Sequence, residues 1–167
     1  MVKIILPLFL ISFLSLFSEE ILTGKVVGVS DGDTIRLYSK EDNTQYKIRL
    51  SGIDAPEKNQ THGRKSKQAL SDFIFGKIVE VSVQGEDKYK RILGYIKSEN
   101  QNINLEMVKT GNAWVYRKYN RSKEYIEAER IAKDKKIGLW NLEDPIPPWE
   151  FRKEKKKSKK KKWIFHF

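Results

Sequence analysis

Cysteine is absent from all 167 residues. Its absence excludes a disulfide framework, a thiolate nucleophile, a zinc-thiolate centre and a lipoprotein anchor. It does not argue against export, because packing alone can supply stability outside the cell. Histidine is scarce: His62 and His166 stand far apart and read as bystanders rather than a ligand pair. The one long apolar run, Ile4 to Phe17, is shorter than the ~20 residues of a comfortable membrane span. No internal repeat is visible.

That apolar run follows Lys3 and ends at Ser18-Glu19-Glu20, the layout of an export signal. The chain is therefore expected to be secreted or periplasmic, with an uncleaved N-terminal membrane anchor as the alternative. The formal charge of +11 is unevenly spread. Nine basic residues and one acidic residue lie between Arg152 and Lys162, giving that stretch +8 and leaving the remainder at +3. The expected organisation is residues 1–20 as leader or anchor, 21–145 as one folded domain, and 146–167 as a proline-containing, lysine-rich tail that is disordered. Such a tail would add salt-dependent attraction to nucleic acid or any anionic surface. Nothing suggests more than a monomer.

Within the domain, β-branched residues from Ile21 to Val29 predict a strand, and Ser30-Asp31-Gly32 a turn. Further strands are predicted at Thr34–Tyr38, Tyr46–Leu50, Lys77–Val83 and Ile92–Ile96. A helix is predicted between Asn59 or Thr61 and Phe75, with Gly76 as its C-terminal stop. A short helix ends at Gly111, and a last one runs from Ser122 toward Gly138. Leu139 and Trp140 are expected to fold back onto the core. Pro145, Pro147 and Pro148 are expected to prevent further helix. The order is compatible with an α+β fold built on a five-stranded OB-type barrel with three helices, although order alone leaves other α+β arrangements open.

The residues that suggest chemistry come in short motifs: Asp31-Gly32-Asp33-Thr34, Arg49 with Asp54-Ala55-Pro56-Glu57, and Asp87-Lys88-Tyr89-Lys90-Arg91. Asp33 and Asp54, with the carbonyl of Ala55, could form an oxygen-only site for Ca²⁺ or Mg²⁺. Glu57 could orient or deprotonate water. Arg49 is expected to point outward from its strand with a free fork, and Arg91 lies just before a strand. Planar guanidinium forks suit phosphate oxygens. Taken one at a time, Asp31-Gly32 is an ordinary turn pair, Arg49 a surface ion-pair former and Arg91 a solvated hairpin charge.

Taken together, these motifs resemble the staphylococcal nuclease (thermonuclease) family over about Ile21 to Trp140. Gly111, Ala113 and the aromatic-basic stretch to Tyr119 fit as well. The resemblance implies a five-stranded OB barrel with three helices, and Ca²⁺-dependent cleavage of DNA and RNA leaving 3′-phosphate ends. It implies that Asp33, Asp54 and the Ala55 carbonyl are metal ligands and that Arg49 and Arg91 clamp phosphate. Glu57 becomes the water-activating or water-positioning group. Lys88 and Tyr89 become contacts to a neighbouring phosphate, and Tyr119 contacts the nucleotide. The chain departs from the family pattern at Ala55, where threonine is usual, and at Lys90, where glycine is common. Arg117 falls where a base-stacking tyrosine belongs, and the adjacent Tyr116 can substitute for it. Two other readings compete: a non-catalytic OB-fold module that binds nucleic acid, and a surface-attached structural or adhesion protein working through the lysine run and its apolar tip at Trp163, Ile164, Phe165 and Phe167.

Overall fold

The computed structural model describes residues 20–164, so the expected leader lies almost wholly outside the described residues. Five strands form the barrel: β1 (Ile21–Asp31), β2 (Thr34–Ser39), β3 (Thr44–Leu50), β5 (Ile78–Glu86) and β6 (Ile92–Ser98). Their order is β3-β2-β1-β5-β6, and a parallel pairing of β3 with β6 closes the ring. Closure runs through three residue pairs, Ile48, Arg49 and Leu50 with Ile92, Leu93 and Gly94. Register shifts at Val26/Gly28 and Val29/Asp31 in β1, and at Val83/Gly85 in β5, let long strands coil tightly. Three two-residue strands complete the sheets: β4 (Ile53–Asp54) pairs with β8 (Trp114–Val115), and β7 (Gln101–Asn102) extends β6.

Alternation decides which side chains fill the barrel. Ile35, Leu37, Ile48, Leu50, Val79, Val81 and Ile96 are fully buried, each stabilising the fold by roughly 1.5–3 kcal/mol. Helix α1 (Gly63–Ile74) adds Leu70 and Ile74, and α2 (Ile103–Lys109) adds Ile103, Met107 and Val108. Helix α3 (Lys123–Asp134) leads through a 3₁₀ turn (Gly138–Asn141) that buries Leu139 and Trp140, as expected. Buried Asn104 ties α2 to the barrel: it accepts from the Ile96 N–H and donates to the Ser51 and Gly94 carbonyls.

Two expectations are corrected. Helix α1 starts after His62, whose φ of 70° is left-handed and whose side chain caps nothing, so neither Asn59 nor Thr61 is the cap. Among the described residues there are four α-helices rather than three, because Pro148–Ile164 forms α4 where a disordered tail was expected. Proline blocks a helix interior but suits its first position, where the missing N–H would go unused, and Pro148 occupies that position.

Candidate active site

The Asp31–Asp33 turn is held by close packing. A side chain on Gly32 would place its Cβ 1.8 Å from Ser66 Oγ and 2.8 Å from Ala55 Cβ. Only glycine lets this turn lie against α1 and the β4 segment. Asp33, thus aimed inward, accepts from Thr34 Oγ1 (3.0 Å) and from the Ala55 N–H (2.8 Å). Gly63 does the same for the next segment, where a Cβ would lie 2.0 Å from the Glu57 carbonyl oxygen.

Arg49 corrects an expectation. Its neighbours Ile48 and Leu50 do point into the core, but its guanidinium is not free in solvent. It lies 3.0 Å from Asp33 Oδ2 and 2.8 Å from Asp54 Oδ1, and donates to the Leu50 and Ile53 carbonyls. Alternation places Arg49 on the outer face. The β3–β4 turn then folds back over that face and wraps the fork. Among the described residues Nε and one Nη2 proton of Arg49 keep no protein acceptor.

The Asp54 carboxylate is wholly buried. Burial pushes its pKa up, the Arg152 and Arg49 guanidinium groups pull it back, and Asp33 adds to the rise. Asp31, whose Oδ1 accepts from the Asp33 N–H, is pushed up to about 7, first by burial and then by the charge of Asp33. Glu57 is half-exposed and its backbone N–H donates to Gln60 Oε1.

Arg91 lies on the hairpin between β5 and β6. Its Nε and Nη2 bind Asp87 Oδ2 at 2.8 and 2.7 Å, and Nη1 reaches Thr34 Oγ1 at 3.5 Å. Burial acts to raise the Asp87 pKa, but hydrogen bonds from Arg91 and from the Arg91 and Tyr89 N–H groups hold it below the usual range. Lys88 and Tyr89 are on the same hairpin; the exposed Tyr89 ring lies 5.1 Å from Lys88 Nζ and 5.6 Å from Arg91 Cζ. The contacts run unbroken from Arg91 through Thr34, Asp33, Arg49 and Asp54 to Glu57, the last link being Arg152.

Arg152 was not anticipated. From α4 it donates Nη2 to Asp54 Oδ2 (2.7 Å) and Nη1 to Asp54 Oδ1 (3.2 Å) and Glu57 Oε1 (2.8 Å). Burial acts to lower its pKa, but these two carboxylates hold it raised. It lies 98 residues from Asp54, so no spacing could reveal the pair. The one available signal was a lone arginine following Trp149 and Phe151 at the head of a lysine run.

The aromatic residues are divided. Tyr119 is exposed, 5.0 Å from Tyr116. Tyr116 lies against the β4 turn through its N–H to the Gly52 carbonyl, and its ring stacks on Trp149 at 5.6 Å with 9° between planes. Arg117 turns away to the buried Glu129, which also takes the Val115 N–H and Lys133. His62 bonds Asn112, while His166 lies outside the described residues. Trp114 and Trp140 pack edge to face at 4.3 Å.

The donor chemistry fits a hard divalent cation. Asp33 and Asp54 share one guanidinium, the buried Ala55 carbonyl accepts no hydrogen bond among the described residues, and the Arg152 guanidinium stands as a cation between Asp54 and Glu57. Among the described residues no three acidic or imidazole side chains form a ready cage, so such a site would combine two carboxylates with carbonyl and water oxygens.

Residues 47–142 match the profile of the family described as Staphylococcal nuclease homologue. The chain is 45% identical over 156 residues to a Haemophilus influenzae protein described as an uncharacterized endonuclease, covering 92% of this chain and 87% of that one. An Escherichia coli protein with the same description is 40% identical over 90% of this chain and 96% of its own length. The staphylococcal-like nuclease CAN1 of Arabidopsis thaliana is 38% identical over 67% of this chain and 35% of its own length.

Proposed function

Because the chain belongs to the family of staphylococcal nuclease homologues, we propose that this nuclease is a Ca²⁺-dependent endonuclease of low sequence specificity, cutting DNA and RNA to leave 3′-phosphate ends. One observation carries the reading: Asp33, Arg49, Asp54 and Arg91, from four separate segments, join in one continuous line of polar contacts on the barrel, and Arg152 links Glu57 to it.

Asp33, Asp54 and the Ala55 carbonyl would hold the cation. When bound, Ca²⁺ supplies charge neutralisation and polarises the phosphoryl oxygen. The protons of Arg49 without a protein acceptor would serve a substrate phosphate from the acidic side, and Arg91 would bring a second fork from the hairpin. Together they stabilise the charge that builds on the equatorial oxygens as phosphorus becomes five-coordinate. Glu57, once released from Arg152, accepts the hydrogen bond of the attacking water and positions it or takes its proton. The water oxygen bonds to phosphorus and gives up its proton to Glu57 or to solvent, the bond to the 5′ oxygen breaks, and that oxygen takes a proton from solvent water and leaves as a 5′-hydroxyl. Lys88 and Tyr89 suit a neighbouring phosphate, and Tyr119, with Tyr116, an adjacent nucleotide. The lysines of α4 add salt-dependent attraction to the polyanion.

The N-terminal run supports export or N-terminal anchoring, and the enzyme works as a monomer in this reading. No helix among the described residues is long and apolar enough to cross a membrane. Cleavage of single- and double-stranded DNA and RNA in Ca²⁺, Mg²⁺ or chelator tests the proposal. The expected result is Ca²⁺-dependent cutting whose fragments carry 5′-hydroxyl and 3′-phosphate ends. Undiminished cutting in chelator would refute the cation's role.

A further inference from the structure

We propose that Arg152 is an internal counter-ion that competes with the divalent cation for Asp54 and Glu57, so that the cation enters only as this guanidinium is displaced. The inference rests on the assignment of Asp54 as a cation ligand.

Both Asp54 oxygens are engaged: Oδ1 by Arg49 and Arg152, Oδ2 by Arg152 at 2.7 Å. Calcium binds carboxylate oxygens at about 2.3–2.6 Å. On Oδ2, where Arg152 rather than Arg49 is the partner, a cation and a guanidinium nitrogen would stand within about 4 Å of each other, in a buried setting where like charges repel strongly. Oδ2 of this buried carboxylate accommodates one or the other.

The competitor is built in. Trp149 lies one helical turn before Arg152, so both project from the same face of α4. Trp149 stacks on Tyr116 and packs edge to face on Trp114 at 5.7 Å. Gln60 Nε2 donates to the Ile146 carbonyl just ahead of the helix. The helix start is thus fastened to the wall of the acidic site, and the arginine needs no folding event to reach it.

Release is equally local. The Arg152 side chain is 39% exposed, and its flexible stem can swing the fork toward solvent while α4 stays docked. A substrate phosphate offers that fork a new partner as the cation takes the carboxylates. Cation and nucleic acid therefore assist each other's binding, and the site is neutralised when both are absent.

Calcium titration of the full chain by calorimetry, without substrate, tests this for wild type, Arg152→Gln, Trp149→Ala and Asp54→Asn. Arg152→Gln is expected to bind Ca²⁺ about tenfold more tightly or better, the direction expected when a competing buried charge is removed. Trp149→Ala, which loosens the anchor without touching an acid, is expected to shift affinity the same way by less, and keeps the test alive should Arg152→Gln fold poorly. Asp54→Asn is expected to abolish binding. If Asp54→Asn loses Ca²⁺ while the Arg152 and Trp149 variants match wild type or bind more weakly, the competition is overturned and the metal assignment stands. If Asp54→Asn retains wild-type affinity, the metal assignment itself fails.

Discussion

The two arginines assigned to phosphate are held in opposite ways. Arg49 is 12% exposed and sewn into its surroundings by two carboxylates and two carbonyls. Arg91 depends on Asp87 of its own hairpin and a long contact to Thr34. The glycines follow the same division. Gly32, on the acidic side, has no room for a methyl group, whereas Gly85, in the β5 strand leading to the Arg91 hairpin, has nothing within 4 Å of the position a Cβ would take. The acidic side is thus a packed frame that fixes acids in place, and the Arg91 hairpin is a more open arm. A residue on the frame serves stability and chemistry together, while a residue on the arm can serve chemistry alone.

Arg91→Ala should break that comparison most visibly. Loss of one transition-state donor is expected to lower the cleavage rate by about 10²–10³-fold, while urea unfolding changes by less than about 1 kcal/mol, as for a partly exposed ion pair. Arg49→Ala should lose activity as well, and in addition destabilise the fold by about 3 kcal/mol, because it strips a partner from a buried carboxylate. Adding Asp54→Asn to Arg49→Ala should recover part of that stability and none of the activity, with both read from the same preparations. Gly32→Ala is expected to destabilise by about 2 kcal/mol through overpacking against Ser66 and Ala55, measured by denaturant titration. The smallest effect belongs to the arm. Lys90 has a left-handed φ of 62°, and Lys90→Gly is expected to raise stability by up to about 1 kcal/mol by relieving that strain. A loss of stability there would mean that the lysine side chain holds the hairpin.

The sequence made the frame's composition legible but not its geometry. The long strands announced themselves because alternating β-branched residues must put one set inside. Strands β4 and β8 have two residues each, too few for any period, yet they carry Asp54 opposite Trp114 and hold Tyr116 to the Gly52 carbonyl. Alternation also told which face Arg49 takes without telling that the next turn would cover it. The start of α1 was hidden because His62 reaches the helix through a left-handed backbone rather than a polar cap. Helix α4 was concealed by its own composition: prolines read as a barrier and lysines read as a solvated coil, while the anchoring residues Trp149 and Arg152 act only through tertiary contacts.

In the proposed reaction the acidic frame and the open arm work on the same phosphate. Single-turnover cleavage of a 5′-labelled single-stranded oligonucleotide at saturating Ca²⁺, by wild type and by the Glu57→Ala/Arg91→Ala double variant, tests it directly, with circular dichroism confirming that the barrel is intact. The account predicts a folded double variant whose cutting is slower by at least about 10³-fold. A folded double variant that cuts at the wild-type rate would contradict it.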